Sequence, residues 1–181
     1  MRQEFNRRAR FEAIAAEVFE PLQRYLLRRA SRDVVDDVLS EVMLVVWRRI
    51  DDAPSDGALP WSYGVARRIL ANRRRSEQRH LRLVDRLNAE PLPPAPTVES
   101  PDSQLPQLDL AISNLSAHDR ELVRLWAWEQ LEPREIAVVL DSSPNSVSLR
   151  LTRVKKKLLA ELERQDRSTS GHITEKHAKE M

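Results

Sequence analysis

The stretch 132–164, EPREIAVVLDSSPNSVSLRLTRVKKKLLAELER, decides how this chain is read. Pro133 suits a first helical turn, where its missing N–H is one that no intrahelical bond would use. Asp141-Ser142-Ser143 reads as a short turn, after which Pro144 opens a second helix with Ser143 as its N-cap. At about 100° per residue, Val147, Leu151, Val154, Leu158 and Leu162 share one narrow arc, the face that this helix must bury. Asn145, Ser146, Ser148, Leu149, Thr152, Arg153 and Lys156 lie opposite. The pattern is therefore short helix, tight turn and longer helix, with small polar residues and then cations facing outward.

The rest of the chain follows the same grammar. Its 181 residues contain only three glycines and are rich in Leu, Ala, Arg and Glu, which lose little rotamer freedom in a helix. An all-α protein is expected. The absence of cysteine excludes disulfides and thiolate chemistry. The N-terminal MRQEFNRRARFEAIAAEVFE lacks the apolar core of a signal peptide, and no segment nears the roughly 20 apolar residues of a membrane span. A soluble, cytoplasmic protein is expected.

Proline placement divides the chain. Residues 89–106, AEPLPPAPTVESPDSQLP, hold six of the eleven prolines and no Lys or Arg, and read as a semi-rigid acidic linker. The expected organisation is a helical domain over 1–88, that linker, a helix-turn-helix domain over 107–165 and a disordered polar tail over 166–181. In the first domain, Phe11, Ala15, Val18, Phe19, Leu22 and Leu26 mark an amphipathic helix with a kink or restart at Pro21. A second helix begins near Ser31 or Asp33. After the loop Asp51–Pro60, a third, long helix starts about Trp61.

Three surfaces carry the functional argument. The outward face of the last helix fits a duplex, with its first turns at base edges and its later cations at phosphates; Lys155–Lys157 could equally offset the negative helix end. The second helix has a broad core arc, yet Met43, Leu44 and Trp47 project elsewhere among Asp36, Asp37, Ser40 and Glu41. Such an acid-flanked apolar patch is covered either by its own lobe or by a partner protein. From Trp61 to Arg86 the net excess is six positive charges, and Arg67, Arg68, Arg74, Arg75, Gln78 and Arg82 share one side. Arginine forks suit phosphates and can stack on bases, while Trp61 and Tyr63 beside the loop offer stacking surfaces or plain core. No phosphate loop, nucleophile elbow or H-E-x-x-H occurs, so no enzyme, cofactor or metal is expected.

Together, DDVLSEVMLVVWRR, PWSYGVARRILANRRRSEQRH, the Pro-rich linker and LSAHDRELVRLWAWEQLEPREIAVVLDSSPNSVSLRLTRVKKKL resemble a bacterial extracytoplasmic-function sigma factor of the sigma-70 family. The resemblance spans roughly residues 8–164. It implies a promoter-specificity subunit of core RNA polymerase with two small helical domains. Asp36, Asp37, Ser40, Glu41, Leu44 and Trp47 would dock on polymerase, Ser40 standing where the family pattern usually has Gln. The loop with Asp56, then Trp61, Arg67, Arg68, Asn72, Arg74 and Arg75, would melt and capture the minus-ten element, Arg68 standing where the family often has Asn. Asn145, Ser146, Ser148, Leu149, Arg150, Thr152 and Arg153 would read the minus-thirty-five duplex, and the linker would thread polymerase channels. An anti-sigma protein is a further implied partner. The competing readings are a stand-alone helix-turn-helix regulator and a nucleic-acid enzyme using Asp36, Asp37 and Glu41 to hold a metal.

Overall fold

A computed structural model describes residues 2–87 and 106–177, with side chains over 4–82 and 108–165. The linker up to residue 105 and the last four residues of the tail lie outside the described residues. Seven helices and no strand occur among the described residues: α1 (Arg2–Leu27), α2 (Arg32–Arg48), α3 (Ala58–Leu87), α4 (Pro106–Ser113), α5 (Ala117–Ala127), α6 (Pro133–Leu140) and α7 (Pro144–His177). The chain divides into two compact units, Met1–Ser100 with Val138–Asp141, and Pro101–Ala137 with Ser142–Met181.

In the first unit α1, α2 and α3 pack on one another pairwise. Val18, Leu22, Tyr25 and Leu26 of α1 meet a core that includes Val35, Val38, Leu39, Val42 and Val46 of α2, and Tyr63, Val65 and Ile69 of α3. The rings of Tyr25 and Tyr63 sit 4.7 Å apart. Pro21 neither ends nor restarts α1, which runs unbroken through it. The reason lies in its neighbours. Val18, Leu22 and Leu26 are fully buried on both sides of the proline, and their burial, at about 1.5–3 kcal/mol each, outweighs the ~3 kcal/mol that an interior proline costs. Phe19, expected on the buried face, points outward, and Ile14 and Tyr25 are buried instead.

α3 begins at Ala58, three residues before the expected start. Gly57 precedes it with φ +83°, a left-handed backbone that a side chain would strain. In the second unit α4 and α5 pack on α7, with Ala111, Ile112, Leu122, Leu125, Ile136, Val147, Leu151 and Val154 buried. Leu158 and Leu162 are only half-buried. α7 also continues to His177, through most of the segment read as a disordered tail. That segment has no proline, so each added residue can extend the ladder from the turn before it.

Candidate nucleic-acid interface

Local chemistry fixes how α6 and α7 meet. Glu135 accepts the backbone N–H of Glu132 at 2.7 Å, closing the first turn of α6. At the other end Asp141 takes φ 54°, a conformation that Asp tolerates better than most residues, and Ser142 N–H reaches back to the Ala137 carbonyl at 2.9 Å. This wrapped end stops α6 and redirects the chain. Ser143 Oγ then accepts Ser146 N–H at 3.2 Å, capping α7.

The expected reading residues emerge together. Asn145, Ser146, Ser148, Leu149, Thr152 and Arg153 are all exposed, while Val147, Leu151 and Val154 point inward. The Ser148 hydroxyl donates to the Pro144 carbonyl at 2.9 Å and the Thr152 hydroxyl to the Ser148 carbonyl at 3.0 Å. Arg150 differs from its neighbours: its Nε donates to Asp119 Oδ1 at 2.7 Å. Sequence reading missed Asp119, a buried acid in the first turn of α5 whose own N–H donates to the Ser116 cap at 3.1 Å. Asp119, Ser146, Leu149, Arg150, Arg153, Val154 and Lys157 line a cleft of about 340 Å³.

Burial pushes the Asp119 carboxyl up. The hydrogen bonds from Arg150 and Ser116 and the positive charges of Arg150 and Lys157 outweigh it, holding the group below its ordinary value. A lowered carboxyl stabilises the fold at neutral pH, and that contribution disappears as acid protonates it, below about pH 4. The stability advantage of the native chain over Asp119→Asn is therefore expected to shrink between pH 7 and pH 3, measured by urea unfolding. An unchanged difference would show that the ionised carboxylate contributes nothing.

In the first unit the α2 patch is exposed. Leu44 is 46% and Trp47 36% accessible, and Asp36, Asp37, Ser40 and Glu41 are exposed on the same helix. Trp47 rests edge-on against Phe11 with ring centroids 5.4 Å apart, and Arg7 lies over its ring at 5.8 Å. Arg73 of α3 reaches Glu41 at 3.3 Å and Asp37 at 3.7 Å, a link that spacing within one helix does not reveal.

The basic face of α3 is less uniform than its sequence. Arg68, Asn72, Arg74 and Arg75 are exposed and Arg67 half-buried. Arg74 Nη2, however, donates to the Arg29 carbonyl at 2.8 Å, and Arg75 to Asn72 Oδ1 at 2.6 Å. Arg74 thus ties α3 to the turn after α1 as well as facing solvent. The preceding loop is pinned to α1, since Arg7 pairs with Asp51 and Arg10 donates to the Ala53 carbonyl. Asp56 remains exposed, and Trp61 is half-buried. Among the described residues no group of His and acidic side chains is arranged to hold a metal, and no helix is long and apolar enough to cross a membrane.

Residues 105–158 match the family model for sigma-70 region 4. The sigma factor RpoE of Bartonella quintana, solved in complex with the anti-sigma factor NepR, matches the structure with a TM-score of 0.62 and 18% identity, over 84% of this chain and 96% of its own. CnrH, solved in complex with the cytosolic domain of CnrY, matches with a TM-score of 0.54 and 21% identity, over 84% of this chain and 87% of its own. No curated relative matches the sequence. At these identities the solved structures bear on the fold, and the family model on the last helices. Residues 105–158 are thus similar to sigma-70 region 4, and the chain as a whole shares the helical fold of these two solved proteins.

Proposed function

We propose that this protein is a promoter-specificity subunit that binds core RNA polymerase in the cytoplasm and directs it to a particular set of promoters. The observation that carries the proposal is the match of residues 105–158 to sigma-70 region 4, on helices whose outward face is polar, exposed and basic toward its later turns. In this reading α7 enters the major groove of the minus-thirty-five element, with base edges met by Asn145, Ser148, Leu149, Thr152 and Arg153. Asp36, Asp37, Ser40, Glu41, Leu44 and Trp47 bind polymerase. The Asp51–Pro60 loop with Asp56, together with Trp61, Arg67, Arg68 and Asn72, captures the opened minus-ten strand, and Arg74 and Arg75 add positive charge along that path. The chain supplies recognition and leaves the chemistry to polymerase. RpoE and CnrH were each solved with a bound partner protein, which supports an anti-sigma protein as a further partner of this chain.

Run-off transcription with core polymerase on a promoter library tests the proposal and reveals the recognised elements together. Promoter-dependent transcripts are expected only when the chain and polymerase are both present. Tight, sequence-specific duplex binding by the chain alone, with no effect on initiation, would favour a stand-alone regulator. In the same assay Arg153→Ala is expected to reduce initiation at cognate promoters by about 1–3 kcal/mol in transition-state terms and to relax the preference at one base pair. Unaltered output would remove Arg153 from the reading face.

A further inference from the structure

We infer that Asp119 is a positioning residue that holds the Arg150 guanidinium as a clamp for a DNA phosphate at the flank of the reading helix. The inference rests on the promoter-reading role proposed for α7. Among the described residues Asp119 is the one acidic residue buried in the protein. Its side chain is 11% exposed against 44% for Arg150, so the carboxylate faces inward and the arginine reaches outward.

The bond between them runs through Arg150 Nε at 2.7 Å. That choice of nitrogen matters. An arginine gripped at Nε keeps its two Nη groups for a second acceptor, and those groups form the fork that fits paired oxygens of a phosphate. Gripping also removes much of the side-chain freedom that a solvated arginine would lose on binding. Sequence alone makes Arg150 one cation among several along α7; the structure gives it a carboxylate from another helix, α5, as a fixed base.

Its direction separates phosphate from base. Leu149 lies opposite the buried arc of Val147, Leu151 and Val154, and Arg150 is turned about 100° from Leu149 around the helix. A helix seated in the major groove shows its outermost side chains to base edges and its flanks to the sugar-phosphate walls. Ser146, Arg150, Arg153 and Lys157 border one cleft with Asp119, and their spacing of four, three and four residues makes a continuous ridge along α7. Arg150 and Lys157 occupy its outer edge, while Arg153 lies nearer the reading face.

The test compares holoenzymes carrying Asp119→Asn, Arg150→Ala and both, on a cognate promoter and its single-base variants, over a series of salt concentrations. Each single variant is expected to lower initiation by the same factor on every promoter sequence. Arg150→Ala should also reduce the log–log salt slope by about one, so that a fourfold rise in salt costs about 3.5-fold less than in the native holoenzyme, whereas Asp119→Asn, which leaves the cation in place, should reduce it by less. Asp119→Asn should add nothing once Arg150 is Ala. A changed preference at one base pair would make Arg150 a base reader and overturn the inference. So would an Asp119→Asn loss that persists in the Arg150→Ala background, because Asp119 would then act on stability alone. If the native holoenzyme itself fails to initiate at promoters, the parent reading falls, and the phosphate clamp falls with it.

Discussion

Leu44→Asp is expected to release the chain from core RNA polymerase while leaving its own fold intact. Leu44 is nearly half exposed on α2, and the residues on either side that hold the helix in place, Val42 and Val46, point into the core. A carboxylate at position 44 therefore stays in water in the free protein and adds to the negative charge of Asp37 and Glu41. Beneath a partner it would be stripped of water with no counter-ion of its own. A loss of at least about 2 kcal/mol, roughly thirtyfold in affinity, follows if Leu44 is an anchor of that interface. Trp47→Asp should act in the same direction, with an added stability cost because it forfeits the edge contact with Phe11. Co-purification with core polymerase, alongside an unfolding curve for each variant, checks the pair. Undiminished retention of Leu44→Asp would move the polymerase interface off this face of α2.

Leu22→Ala is expected to destabilise the first unit strongly, by about 2–5 kcal/mol. Leu22 has no accessible surface, follows Pro21 directly, and belongs to a helix that packs on both α2 and α3. Removing it leaves a cavity and withdraws part of the burial that carries α1 through the proline. Phe19→Ala is the control, since Phe19 is about half exposed and its loss should stay within about 0.5 kcal/mol. Urea unfolding of the two variants separates them. Equal costs would mean that the register of α1 is wrong.

That contrast also marks where sequence reading succeeds. Period alone placed Val147, Leu151 and Val154 inside and Asn145, Leu149 and Thr152 outside, because α7 packs on one side and its other side meets water. On α1 the same reasoning put Phe19 inside. An aromatic at helical spacing is read as core, and nothing local distinguishes it from Tyr25, which takes that place. The start of α7 at Ser143 was legible as a cap, since a cap is a matter of adjacent residues. The partners of arginine were not. Arg73 finds Glu41 across 32 positions, Arg74 the carbonyl of Arg29 across 45, and Arg150 the carboxylate of Asp119 across 31. Pairings at such separations depend on how helices are laid against one another, and a charge count treats all of these arginines as one stripe.

The two hydroxyls on the outward face of α7 have a consequence for the language this helix can speak. Ser148 and Thr152 have each given their proton to a carbonyl of their own helix, which leaves only lone pairs to offer. In the major groove, lone pairs are matched by the amino groups of adenine and cytosine and by nothing on the edges of guanine or thymine, apart from a methyl against methyl fit between thymine and Thr152. In the proposed reading, the small residues of this surface are thus set as listeners for amines, and the guanines of a recognised element are left for an arginine to name.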